Sequence, residues 1–474
     1  MSGSPAAAQR LSPQVRQLVS QLRHKNQLQA ERVGWAGTTP EQYKTFVALR
    51  DTATTDELLR LTHHANAVVR GYAGWALADR AYPQLPRVFQ RYLHQLRKVT
   101  NQHGCIVGRN RLGPELYYRV AHDCFDPAGA DSLTYARQLA RLDSIILYQY
   151  PRHHLVRSAL RGNAANPHRY AVVRNICQRN PDGVALEALA QYRRPEDIAL
   201  IRAQGNAALG AIARFPDPTF WPLLTSFDLT AYAGEANRWR AEHYLPEYYR
   251  ALASYRTTEA IGFIRSLYHQ GRIVQPAILA VALADTQDPV YDALLLDLWA
   301  TDKLMLLPVA KRLATTQPAA AARAFAQGLL APGPYEPQEA YSYYRLDEQV
   351  IDLMLGHLQQ HDSALVSVVC RQNIQTASFT PLKMFLEYAR RHQLTSCKAA
   401  IMARLQQPNS PFDTFHLAET ALSFHDPSLK PELIRVLTLH RSSWDRYNWP
   451  EAFRKLFAAN DIHLAASPPT PESK

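Results

Sequence analysis

The sequence has no C-x-x-C pair, no apolar run near the roughly 18 residues that a membrane span needs, and little glycine. Its five cysteines (Cys105, Cys124, Cys177, Cys370, Cys397) are odd in number and scattered, which fits reduced thiols in a cytoplasmic protein better than a disulfide framework. The opening residues MSGSPAAAQRLSPQ lack the apolar core of a secretory signal, and no membrane association is expected. None of the glycine falls in G-x-x-x-x-G-K or G-x-G-x-x-G, so no phosphate-cradling loop is present. Hydrolase elbows of the G-x-S-x-G kind and H-E-x-x-H zinc motifs are missing too. His103, Cys105, His122, Asp123, Cys124 and Asp126 bring ligand chemistry into one segment, but their spacing matches no standard zinc frame. No metal, no cofactor and no catalytic residue is therefore expected.

What the sequence does contain is helical periodicity. Thr54 followed by Glu57 has the form of a capping box, which satisfies free N–H groups at a helix start. Leu58, Leu59 and Leu61 give that helix an apolar side, the polar run 63–66 breaks it, and a second helix runs from Val68 to Arg80. So short a connection favours antiparallel packing. Val69, Ala73, Ala76 and Leu77 form the face pressed on neighbours, and Leu85, Val88, Phe89, Tyr92, Leu93 and Leu96 carry the next stripe.

The run Val-Val-Arg-x-x-Ala-x-x-Ala-Leu at 68–77 resembles the second helix of a HEAT repeat. Later punctuation agrees. Asn166-Pro167, Asn180-Pro181, Asp217-Pro218, Asp288-Pro289 and Asp426-Pro427 each pair an N-cap residue with proline at the first helical position. This pattern resembles the short, proline-turned HEAT-like repeats of phycobilisome lyases, with uneven spacing. The resemblance implies an all-α, armadillo-type α-solenoid (α-α superhelix) of stacked helical hairpins, roughly ten repeats at about 40 residues each. The expected organisation is a disordered tail over 1–12, a solenoid over 13–330, a Pro/Tyr-rich loop over 331–344, further helical repeats over 345–464, and a disordered tail over 465–474. The loop reads either as a hinge or as a peptide-binding or base-stacking segment. Residues 18–33 read as helical with polar interruptions, and Thr39-Pro40 with Gln42 reads as another capped start. Periodicity fails over about 100–132, an irregular insertion that is either a long loop or a short pair of strands.

The chain carries a net charge of +12, and its distribution is uneven. Between Arg80 and Arg179 stand sixteen Lys or Arg against five acids, an excess of eleven, so the remainder is nearly balanced. Such a window attracts anionic partners. In a HEAT solenoid the second helices line the concave surface, so the resemblance implies that Tyr72, Trp75 and Asp79 face the groove; packing between repeats is the other reading of Trp75. Trp75 and Asp79 resemble residues with which the HEAT-like DNA-alkylation-repair glycosylases grip damaged DNA, although no later Arg or Trp can be aligned to complete the set. The candidate partner-binding residues are Tyr72, Trp75, Asp79, Arg87, Arg91, Lys98, Arg109 and Arg111. The leading expectation is a non-catalytic scaffold holding an acidic protein partner. The alternatives are nucleic-acid binding through 80–179, as a base-excision enzyme or otherwise, and a lyase-like or chaperone-like handler of a pigment or protein.

Overall fold

The computed structural model describes residues 11–125, 132–162, 165–302, 306–331, 348–407, 409–444 and 449–463. Most of these are helical, as the sequence predicts, and the described strands form one three-stranded sheet. Contacts divide the chain into two compact units, Met1–Ala211 and Ile212–Lys474. The tails expected at 1–12 and 465–474 and the loop at 331–344 lie, residues 11, 12 and 331 apart, outside the described residues.

In the first unit Ser12 caps α1 (Pro13–Lys25), and Arg23, His24 and Lys25 meet the negative end of that helix. Asn26, at φ 50°, ends it in the left-handed region. The helical reading of 18–33 is corrected here, because Leu28–Val33 is a strand, β1. Gln42 does not close a capping box either. At the start of α2 (Glu41–Thr52) it donates to the Leu22 and Gln27 carbonyls at 2.9 and 3.1 Å, tying α2 to the end of α1.

The box at Thr54 forms as read, with bonds of 3.2 and 2.9 Å between Thr54 and Glu57, and opens α3 (Thr55–Leu61). Burial opposes ionisation of Glu57, but amide donors from Ser12 and Thr54 outweigh it and hold the carboxyl down to about 2. Asn66 caps α4 (Ala67–Asp79), which buries every residue from Val68 to Ala78 except Arg70. A helix apolar on all sides needs neighbours all round, and α4 touches α1, α2 and α3, the sheet, α5 (Leu85–Leu93) and α6 (Leu112–Phe125). Gly74 lets α5 close, since a Cβ there would lie 2.8 Å from Tyr92 Cε2.

The stretch 100–132 is irregular only in part. β2 (Lys98–Gly104) and β3 (Ile106–Arg111) form an antiparallel hairpin, and α6 follows at once. Gly104 supplies the positive φ, 56°, that a two-residue turn needs. β1 pairs with β2 in parallel, giving the order β1-β2-β3. α7 (Ser132–Gln149), α8 (Val156–Arg161), α9 (Tyr170–Arg179), α10 (Gly183–Ala190) and α11 (Ile198–Arg202) continue the unit, and α12 (Leu209–Arg214) contains the division.

The second unit contains α13 (Trp221–Thr225), α14 (Arg238–Ala253), α15 (Thr258–His269), α16 (Pro276–Asp285), α17 (Asp292–Asp302), α18 (Leu307–Thr316), α19 (Pro318–Leu330) and α20 (Glu348–His361). After them come α21 (Ser363–Thr376), α22 (Phe379–Arg391), α23 (Lys398–Leu405), α24 (Pro411–Ser423), α25 (Leu429–Leu439), α26 (Arg441–Trp444) and α27 (Trp449–Ala458). From α16 to α24 each even helix touches the next even one, and from α17 to α25 each odd helix touches the next odd one. Asn166, Asp217, Asp288 and Asp426 accept from the amide two residues on, as the Asx-Pro pattern predicts. Asn180 is the exception, because Asp182 caps α10 instead.

Candidate macromolecule-binding surface

The hairpin is fastened along its inner face by one carboxylate. Glu115, in the first turn of α6 and 3% exposed, accepts from Asn101 Nδ2 and Asn110 Nδ2 at 2.8 Å each and contacts His103 Nε2 at 3.0 Å. Both strands are thereby held to α6. The backbone carbonyl of the same residue accepts from Trp75 Nε1 at 3.3 Å, which connects this anchor to α4. Strand alternation then decides which side chains face out. Val99 and Asn101 turn inward and are buried, while Lys98, Arg109 and Arg111 share the opposite face and are exposed. Lys98 sits directly opposite Arg111 in the ladder, and like charges so placed weaken a hairpin. Among the described residues no ion pair or hydrogen bond engages these three side chains.

His153 and His154, stacked with ring centroids 4.3 Å apart, lie close enough to Arg111 to feel its charge. Burial comes first in lowering the pKa of each, and Arg111 adds to it. Near neutral pH the pair is therefore uncharged, and the cationic patch is that of the hairpin alone. Lys and Arg side chains carry donors and no acceptors, so Lys98, Arg109 and Arg111 can hold anions.

The other candidates lie elsewhere. Tyr72 and Trp75 are 0% and 2% exposed, so the groove-facing expectation for them is corrected. Tyr72 covers the outer edge of β1, its hydroxyl accepting from the Gln29 amide at 2.8 Å and donating to the Gln29 carbonyl at 3.2 Å. Trp75 packs against Phe46, Tyr72 and His103. The physical reason is packing on every side: α4 lies against β1 and β2 as well as its neighbouring helices, so no face of it is left open. Asp79 is held by Arg119 in a two-pronged pair, both bonds 2.7 Å, with Arg50 at 3.4 Å. The Arg119 guanidinium carbon also stands 5.3 Å from the Trp75 ring centre. Arg119 lies on α6, within the stretch 100–132 where periodicity fails in the sequence. Arg87 is exposed on α5 and contacts Gln84 at 3.2 Å. Arg91 instead donates to Thr62 Oγ1 at 2.6 Å and meets His63 Nε2, closing the end of α3, so it is only half exposed. Arg174 and Arg157 pair with Asp197 and Asp182, and Arg169 binds the Ala140 carbonyl. Several cations of the window therefore serve the fold.

Among the described residues no group of His, Cys, Asp and Glu is arranged to hold a metal ion. His103 is committed to Glu115, and Asp126 lies outside the described residues. No described helix is long and apolar enough to cross a membrane. No protein family, no curated protein and no solved structure matches the chain.

Proposed function

We propose that this chain is a non-catalytic α-solenoid scaffold, built in each unit from HEAT-like helical hairpins, that holds an acidic protein partner on the cationic face of its first unit. The observation that carries this reading is the trio Lys98, Arg109 and Arg111, exposed and unspent on a hairpin stapled to the body by Glu115. Contacts between each helix and the one two places on, in the second unit, support the repeat architecture. Cys105, Cys177, Cys370 and Cys397 are free thiols, which supports a reducing, cytoplasmic setting. Base excision has weaker support, since Trp75 is buried and Asp79 is tied to Arg119. Nucleic acid is the competing occupant of the same cations.

A pull-down from native lysate with and without nuclease separates the two, followed by fluorescence anisotropy of labelled duplex and single strand. The expected result is nuclease-resistant capture of an acidic protein, with nucleic-acid affinity no better than the non-specific micromolar range. Tight binding of an oligonucleotide at about 50 mM salt that falls roughly a thousandfold by about 200 mM would replace protein with nucleic acid. Arg109→Ala/Arg111→Ala serves as the control.

A further inference from the structure

The outer strand of the sheet has an unused side. In a hairpin with a two-residue turn, the residues flanking the turn form a hydrogen-bonded pair, and pairs alternate beyond it. His103 and Ile106 flank this turn, so the backbone N–H and C=O groups of Val107 and Arg109 point away from β2. Among the described residues no backbone bond reaches them from outside. Such an edge is a template for another strand.

Three observations say what fits there. The first is charge: Lys98, Arg109 and Arg111 line the outer face, and Glu31, the exposed acid of the sheet, is on β1, two strands away. The second is apolar exposure at the tip, where Ile106 and Val107 are 76% and 60% exposed. Beside them the Gly34 amide donates to the Gly104 carbonyl at 2.9 Å, and the adjoining Trp35 is 97% exposed. Cations alone would serve to keep an edge from pairing at random. That device gains nothing from exposed aliphatic and indole groups, which are typical anchors for a partner. The third is self-exclusion, since two copies paired through β3 would bring arginine against arginine.

We propose that β3 is a docking strand for an extended acidic peptide segment of the partner. The segment pairs with the backbone of Val107 and Arg109, lays its carboxylates over Lys98, Arg109 and Arg111, and seats an apolar side chain against Ile106 at the tip. This rests on the scaffold reading and adds the mode of recognition, strand addition.

The test uses the full chain and a labelled alternating glutamate–valine peptide, with the lysine–valine counterpart and a single-stranded oligonucleotide alongside. The acidic peptide is expected to bind at least about tenfold more tightly than the basic one. Val107→Pro removes one outward donor and should weaken binding by about tenfold, with melting behaviour little changed because edge strands accept proline. Arg109→Glu/Arg111→Glu should abolish it. In the unmodified protein, the Val107 and Arg109 amides should exchange more slowly when peptide is present. If charge reversal abolishes binding while Val107→Pro and the exchange rates stay unchanged, strand addition is wrong and the scaffold reading survives. Failure of the acidic peptide to bind at low salt, or preference for the oligonucleotide, overturns the inference.

Discussion

In the first unit the buried carboxylates Glu115, Asp143 and Asp197 are each met by side-chain donors: the hairpin asparagines, the Tyr117 hydroxyl, and Tyr170 with Arg174. The second unit has a buried pair of its own, Arg312 with Asp292, and single aromatic donors to backbone carbonyls, a device the first unit shares at Tyr72 and Trp75. Tyr248 donates to the Leu224 carbonyl, Tyr291 to Ala253, Trp299 to Ala324 and Tyr388 to Leu355, at 3.0 to 3.2 Å. The contrast has a local cause. A sheet inserted among helices brings strand edges and polar side chains indoors, and these need partners of their own. The charge excess falls in the same unit. The candidate surface thus lies where regular stacking is interrupted.

The comparison can be broken most sharply at Trp75. Trp75→Ala should cost about 3 to 5 kcal/mol in chemical denaturation, the range for emptying a large core site. A loss within about 0.5 kcal/mol would return the residue to the surface and dissolve the contrast.

Asp143 gives the next effect, with a pH signature. Burial pushes its carboxyl up to about 6 from an ordinary 3.8, against the opposing bond from Tyr117. Between those values the folded chain binds more protons than the unfolded one, so this group's contribution to stability falls as pH rises. Asp143→Asn should therefore gain on the parent above pH 6, by the order of 2 kcal/mol, and the gain should vanish toward pH 4 when melting is followed across that range. A constant difference would show that the carboxyl is not strained by burial.

The smallest effect belongs to the second unit. Tyr291→Phe removes one donor from the Ala253 carbonyl and should cost about 1 kcal/mol with no pH dependence between 4 and 7. A cost as large as that of Trp75→Ala would mean that the aromatic donors are as critical there as the polar staples are in the first unit.

Some helix starts were legible because a side chain caps its own segment. Thr54 with Glu57 and four of the Asx-Pro pairs act within three residues of themselves, so the local sequence contains the whole device. Gln42 shows the limit, because its amide reached for Leu22, twenty residues back, over the local alternative. β1 was illegible for a related reason. Its pairing partner lies some seventy residues on, and Leu28-Gln-Ala-Glu-Arg-Val carries a helix former at almost every place. Of the candidate site, the basic window was visible as a count of charges. The selection of Lys98, Arg109 and Arg111 over Arg91 and Arg119 was not, since it depends on strand parity and on which cations the fold consumes. Glu115 gave no signal because 112–125 showed no clear period, and a carboxylate in a first helical turn is ordinarily a surface residue.

The three bonds converging on Glu115 bear on recognition through entropy. A surface loop carrying the same cations would have to be ordered when it met a ligand, at a cost in free energy for each side chain and backbone segment immobilised. Here both strands are anchored to α6 beforehand, from Asn110 near the root to His103 beside the turn. Whatever binds to it must give up its own freedom, while the receiving surface has already been set.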